Sequence, residues 1–198
     1  MTYRTLTALH IFTLLAGVSV AFGTATAGGS TADHSQFEAL NRTFENGPEV
    51  TKACLSCHTE AAKQIHKTTH WTWEYKNPET GQLLGKKNVV NNFCIATSSN
   101  IKACASCHIG YGWKDDSFDF SSEENVDCLV CHDTTETYTK DPKKKAPNLK
   151  KVALNVGATS RATCGECHFK GGGGEAVKHG DLDPSLVKPD IFVDVHMD

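Results

Sequence analysis

Cys54-Leu55-Ser56-Cys57-His58 sets two cysteines three positions apart, with a histidine directly behind the second. The same pattern returns as Cys104-Ala105-Ser106-Cys107-His108, Cys128-Leu129-Val130-Cys131-His132 and Cys164-Gly165-Glu166-Cys167-His168. The four copies start 50, 24 and 36 residues apart, a spacing too irregular for a solenoid repeat. Eight of the nine cysteines fall inside them. A chain with this many cysteines and histidines would show about 0.02 such matches by chance, so the pattern is not an accident of composition.

Cys-x-x-Cys-His is the attachment signature of a c-type haem. Two thiols one short turn apart can bond to the two vinyl groups of one porphyrin. The residue after the second thiol then lies under the iron, where a histidine supplies the proximal imidazole. Alternative uses of the cysteines explain less. Zinc sites pair Cys-x-x-Cys units around one ion and do not need a histidine after every second cysteine. A redox dithiol needs one such unit, not four. A disulfide framework has no use for the fixed histidine. The pattern therefore predicts four covalent haem c groups. Cys54, Cys57, Cys104, Cys107, Cys128, Cys131, Cys164 and Cys167 would hold them, and His58, His108, His132 and His168 would be the proximal ligands.

The rest of the chain agrees with this. Its 198 residues are 39% hydrophobic and 22% charged, neither a disordered nor a membrane composition. A formal charge of −3 gives no reason to expect nucleic acid as a partner. Residues 1–27 read as a secretory signal: Arg4 near the start, an apolar run, then Ala25-Thr26-Ala27 as a small-x-small exit. A membrane anchor is the alternative. The run is short for a span of about 20 residues, and no other stretch could cross a bilayer. Residues 28–198 are then expected to be one exported tetrahaem cytochrome domain with no membrane span after cleavage. The fold expected is a multihaem cytochrome c: mainly short α-helices and loops wrapped around four covalent haems, with little β-structure. Porphyrins would replace much of an aliphatic core.

Local patterns are sparse. Residues 61–74 contain no Gly or Pro and read as one helix. Residues 115–127 are acidic and turn-rich, and residues 171–174 are four glycines. Residues 140–151 hold six lysines and two prolines. Such a run is a solvated loop, or a docking face for an acidic redox partner.

Each iron has a sixth position. A second histidine closes it and leaves an electron carrier, whereas a weak or absent ligand leaves room for substrate. The free histidines outside the signal are His34, His66, His70, His179 and His196, five candidates for four irons. His66 and His70 would share one face of the predicted helix, either as ligands to different irons or as a solvated face. Trp71 and Trp73 would pack on porphyrin edges or in an ordinary core. Lys178, beside His179 and after the glycines, reads by itself as a surface lysine. Cys94, outside every motif, is a small buried residue or a thiolate reactive towards sulfur compounds.

Several longer stretches resemble octahaem tetrathionate reductase. They are residues 50–58, the segment from His66 to Trp73, Asn92-Phe93-Cys94, residues 127–132 and residues 171–183. The likeness runs from about residue 32 to residue 196 and covers four of that family's eight haems, its N-terminal half. It implies a periplasmic enzyme that takes electrons from a redox partner protein. Its substrates would be small inorganic sulfur or nitrogen compounds: tetrathionate, nitrite and hydroxylamine. It also implies that the catalytic haem is the second, on Cys104, Cys107 and His108, with Lys178 as its unusual ligand and Cys94 nearby. The other haems would have histidines on both faces. The alternative expectation is a non-enzymatic tetrahaem carrier, or an inactive fragment of the larger enzyme.

Overall fold

The computed structural model describes residues 32–88, 97, 100–101, 105–141, 143–169 and 180–193. Among the described residues the architecture is short helices joined by turns, with one two-stranded antiparallel hairpin. Among the described residues, no helix is long and apolar enough to cross a membrane.

Each motif occupies about one helical turn, as its spacing requires. Helix α1 (Gly47–Leu55) begins at Asn46, whose side chain accepts from the Glu49 N–H at 3.1 Å, and carries Pro48 in its first turn. It buries Val50 and Thr51 completely and delivers Cys54 at its end. The chain then winds one further turn, and the His58 N–H donates to the Cys54 carbonyl at 2.9 Å. Cysteines three apart therefore project from one side, with the histidine beside them. The second motif is a 3₁₀ turn over Ala105–Cys107.

The predicted helix over residues 61–74 is two helices, α2 (Ala61–Ile65) and α3 (Thr69–Thr72). Thr68 is extended between them, its hydroxyl donating to the Ile65 carbonyl at 2.7 Å. A hydroxyl that satisfies a backbone carbonyl offers the chain an alternative to the next helical bond. Trp73 ends α3 in the left-handed region at φ 51°. The hairpin follows, β1 (Tyr75–Lys76) pairing with β2 (Leu83–Leu84) in the register Tyr75 to Leu84.

Helix α4 (Leu129–His132) carries the third motif, and the Asp127 carboxylate accepts from the Val130 N–H at 3.1 Å. Helix α5 (Leu149–Leu154) is capped by Asn148. Helix α6 (Arg161–His168) carries the fourth motif and starts in a reciprocal capping box between Ser160 and Thr163. Two isolated bridges knit the motifs together. Gly110 pairs with Val126, linking the exit of the second motif to the entrance of the third, and Asp133 pairs with Val156.

Among the described residues the interior is three small clusters. Leu40, Phe44, Val50, Leu129, Val152 and Ala153 join α1, α4 and α5. Ala62, Trp71, Ile109 and Val126 form a second, and Trp73, Ala105 and Trp113 a third. Trp71 and Trp73 are thus buried core residues.

Candidate haem centres

The four motifs interleave in space. Thr51 of α1 donates to the Val126 carbonyl at 2.6 Å, and its hydroxyl oxygen lies 3.8 Å from the Cys128 sulfur. The Cys54 thiol neighbours that of Cys128, and the Cys107 thiol neighbours that of Cys167. The first motif therefore meets the third, and the second meets the fourth.

A cavity of about 430 Å³ lies where the second, third and fourth motifs converge. Cys107, Cys131, Cys164, Cys167, His70 and His168 are among the residues lining it. Such a volume is within the range of sites that hold small organic ligands.

The proximal histidines of the third and fourth motifs are oriented alike. His132 donates from Nδ1 to the Gly157 carbonyl at 2.8 Å, and His168 from Nδ1 to the Gly180 carbonyl at 2.6 Å. A carbonyl only accepts, so Nδ1 carries the proton and Nε2 keeps its lone pair for a metal. His58 is exposed, and its ring centre lies 6.2 Å from that of His34, with 25° between the planes. His34 sits in a 3₁₀ turn (His34–Gln36) capped by Asp33, and its Nδ1 is buried without a partner among the described residues. The Ser35 hydroxyl and N–H hold the Asp33 carboxyl below its usual range.

His70 and His168 have ring centres 6.0 Å apart, with planes at 89°. Burial, and then His168, lower the His70 pKa. His66 stacks instead on Trp71 at 4.5 Å, and its Nε2 is buried without a partner among the described residues. The break at Thr68 thus sends the two histidines to different neighbours.

His108 stands apart. It has no exposed surface and is ringed by Trp71, Trp73, Trp113, Phe118 and Phe120, at centre distances of 4.8 to 6.0 Å. Its Nε2 bonds to the Trp71 carbonyl at 2.7 Å, and its Nδ1 is buried without a partner among the described residues. Burial holds its pKa down to about 4; the Lys140 cation pushes the same way, against the Trp71 carbonyl, which favours the proton.

Free imidazole nitrogens, one-turn cysteine pairs and a cavity between motifs fit a covalent haem. Among the described residues, no three His, Cys, Asp or Glu side chains converge to hold a bare metal ion. At His108 a porphyrin would have to displace the aromatic box.

The sequence did not point to the polar network beneath these motifs. Tyr111 and Tyr138 each donate to the buried Asp127 carboxylate at 2.8 Å. Lys140 lies 3.8 Å from Asp127 and donates to the Gly110 carbonyl at 2.9 Å and to the His108 carbonyl. One lysine of the supposedly solvated run is therefore internal. The only available signal was an aspartate directly before Cys128. Cys94, Cys104, Lys178, His179, His196 and the leader over residues 1–27 lie outside the described residues.

Comparison with known proteins agrees with this architecture. Residues 96–173 match the cytochrome c3 family, and residues 53–133 match the family of cytochrome c554 and c-prime. No curated protein matches the chain. Among solved structures, the octahaem cytochrome c from Shewanella oneidensis is 51% identical, with a TM-score of 0.71. The match covers 84% of this chain and 38% of that one, so the chain spans well under half the length of the octahaem protein. The fold is that of a multihaem c-type cytochrome, a class that binds haem covalently and transfers electrons.

Proposed function

We propose that residues 28–198 form an exported, periplasmic unit with four haem c groups, one on each Cys-x-x-Cys-His motif. It takes electrons from a redox partner protein and delivers them to the haem of the second motif, where tetrathionate, nitrite or hydroxylamine is reduced. The observation that carries the choice of centre is His108: the other proximal histidines lie at or near the surface, whereas this one is wholly enclosed. When bound, haem supplies one-electron redox chemistry and a Lewis-acidic iron. The chain holds the imidazole of His108 neutral and fixes its backbone through Lys140. Lys178 and Cys94 belong to this proposal as distal ligand and neighbouring thiol.

A second reading, an electron carrier without turnover, is favoured by the imidazoles that already face His58 and His168. Reduced viologen separates the two. The holoprotein should oxidise it when tetrathionate, nitrite or hydroxylamine is added, and its ferric spectrum should include a centre that is not bis-histidine. Purely bis-histidine, low-spin spectra with no turnover leave the carrier.

A further inference from the structure

We propose that the lysine-lined cleft at the start of α5 is the docking face for an acidic electron-carrier protein, which hands its electron to the third motif. This rests on the proposal that the chain takes electrons from a redox partner protein. The cleft has a volume of about 810 Å³, and Lys145, Lys150 and Lys151 are among the residues lining it. Phe44 and Leu149 supply apolar surface between the charges, and Glu45 is the one acid among the described residues that line it. Lys143 and Lys144 directly precede Lys145 and are exposed.

Charge decides the kind of partner. Residues 140–151 carry six lysines and one aspartate, +5, in a chain whose formal charge is −3, so the rest carries −8. Lys140 is used internally, on Asp127. The other five lysines of the run have no ion-pair partner among the described residues. A positive face on an otherwise negative chain orients an acidic protein before contact and repels a basic one from the remaining surface. A small anion is a poorer fit. Among the described residues, the buried side-chain polar atoms left without a partner all belong to histidines outside this cleft, so no built anion site lies in it. Ammonium groups spread over nine residues around an apolar centre match a protein surface instead.

The cleft is tied to one motif. Leu149 packs on the cluster of Val50, Leu129 and Val152, which holds α5 against the helices of the first and third motifs. At the far end of α5 the Asn155 carbonyl accepts from the Thr134 N–H at 3.2 Å and from its hydroxyl at 2.6 Å. The Gly157 N–H donates to the His132 carbonyl at 2.9 Å, and His132 donates from Nδ1 to the Gly157 carbonyl at 2.8 Å. The lysine helix and the exposed proximal histidine of the third motif thus form one hydrogen-bonded unit. In the transfer, one electron leaves the reduced carrier and makes the ferric centre of the third motif ferrous, with no bond formed or broken.

Flavodoxin hydroquinone, a small acidic one-electron carrier, is the probe, and the holoprotein is followed at its Soret band after rapid mixing. The bimolecular rate and the affinity should both fall as ionic strength rises from about 0.01 M to about 1 M, where the screening length shrinks from about 30 Å to about 3 Å. The variant Lys145→Glu, Lys150→Glu, Lys151→Glu should lose at least about tenfold in rate at low salt. Reduced methyl viologen, a cation, should reduce it no more slowly than wild type. If that variant does not accumulate, glutamine at the same three positions should give a smaller loss in the same direction. Carbodiimide coupling of wild type to flavodoxin should join carboxylates to Lys145, Lys150 or Lys151, mapped by mass spectrometry. Crosslinks confined to other lysines, or flavodoxin rate and affinity unmoved by the charge reversal, overturn the docking face. His132→Met should change the rate of the first transfer without changing affinity, and an unchanged rate overturns entry at the third motif. Wild-type protein that viologen cannot reduce overturns the underlying proposal instead, while the crosslinks still report on the face.

Discussion

Asp127 and Lys140 form an ion pair at 3.8 Å in which the carboxylate side chain has no exposed surface and the lysine side chain retains 16% of its own. The pair binds two motifs together, since the Asp127 carboxylate accepts from Val130 N–H in the helix of the third and Lys140 holds the backbone of the second. Removing one partner of a buried pair leaves a charge without compensation. Lys140→Met is expected to destabilise the holoprotein by about 3 kcal/mol, read from the midpoint of urea unfolding. The Asp127→Asn, Lys140→Met double variant should lose less than the sum of the single changes, because the cost lies in the unpaired charge.

Tyr111 and Tyr138 both donate to Asp127. Burial, and then the Asp127 charge, raise both phenol pKa values above the ordinary range. The unfolded chain releases these protons near pH 10 while the folded protein keeps them, so their contribution is complete below about pH 10 and falls as pH rises beyond it. Thermal midpoints measured from pH 8 to 11 should drop at the alkaline end. In Tyr111→Phe, Tyr138→Phe the drop should be smaller, from a lower starting stability.

Gly110 lies against His108. A Cβ at this position would sit 2.8 Å from His108 Cε1 and 3.0 Å from Trp71 Cζ3. Both rings are buried. Gly110→Ala should cost about 1–3 kcal/mol by overpacking and, on the proposal that His108 holds a haem, should perturb that haem's absorption selectively. Differential scanning calorimetry and the Soret band report the two effects.

Asn46 caps the helix that presents Cys54. Asn46→Ala is expected to lower stability by about 1 kcal/mol in urea unfolding. Haem content by mass should not change, because the thiol spacing is untouched.

The sequence made the motifs legible because their chemistry is local: two thiols and an imidazole must share one turn, whatever surrounds them. The scarcity of strands was legible for the same reason, in the lack of alternating apolar runs. The split at Thr68 was not, because a residue without Gly or Pro neighbours reads as helical until its hydroxyl is seen on the Ile65 carbonyl. The aromatic box was equally hidden. Phe118 and Phe120 come from an acidic, turn-rich stretch, and only the fold brings them to Trp71 and Trp113. Lys140 looked like one lysine among six, and its burial depends on the Asp127 carboxylate outside that run.

The contacts between thiols of different motifs bear on the order of assembly. Cys54 lies near Cys128 and Cys107 near Cys167, so in an oxidising compartment the nearest reaction open to these sulfurs is a crosslink between motifs. On the proposal that each motif carries haem, attachment would have to come before that crosslink. A strain unable to mature cytochromes should yield disulfide-bridged, colourless chains on non-reducing gels.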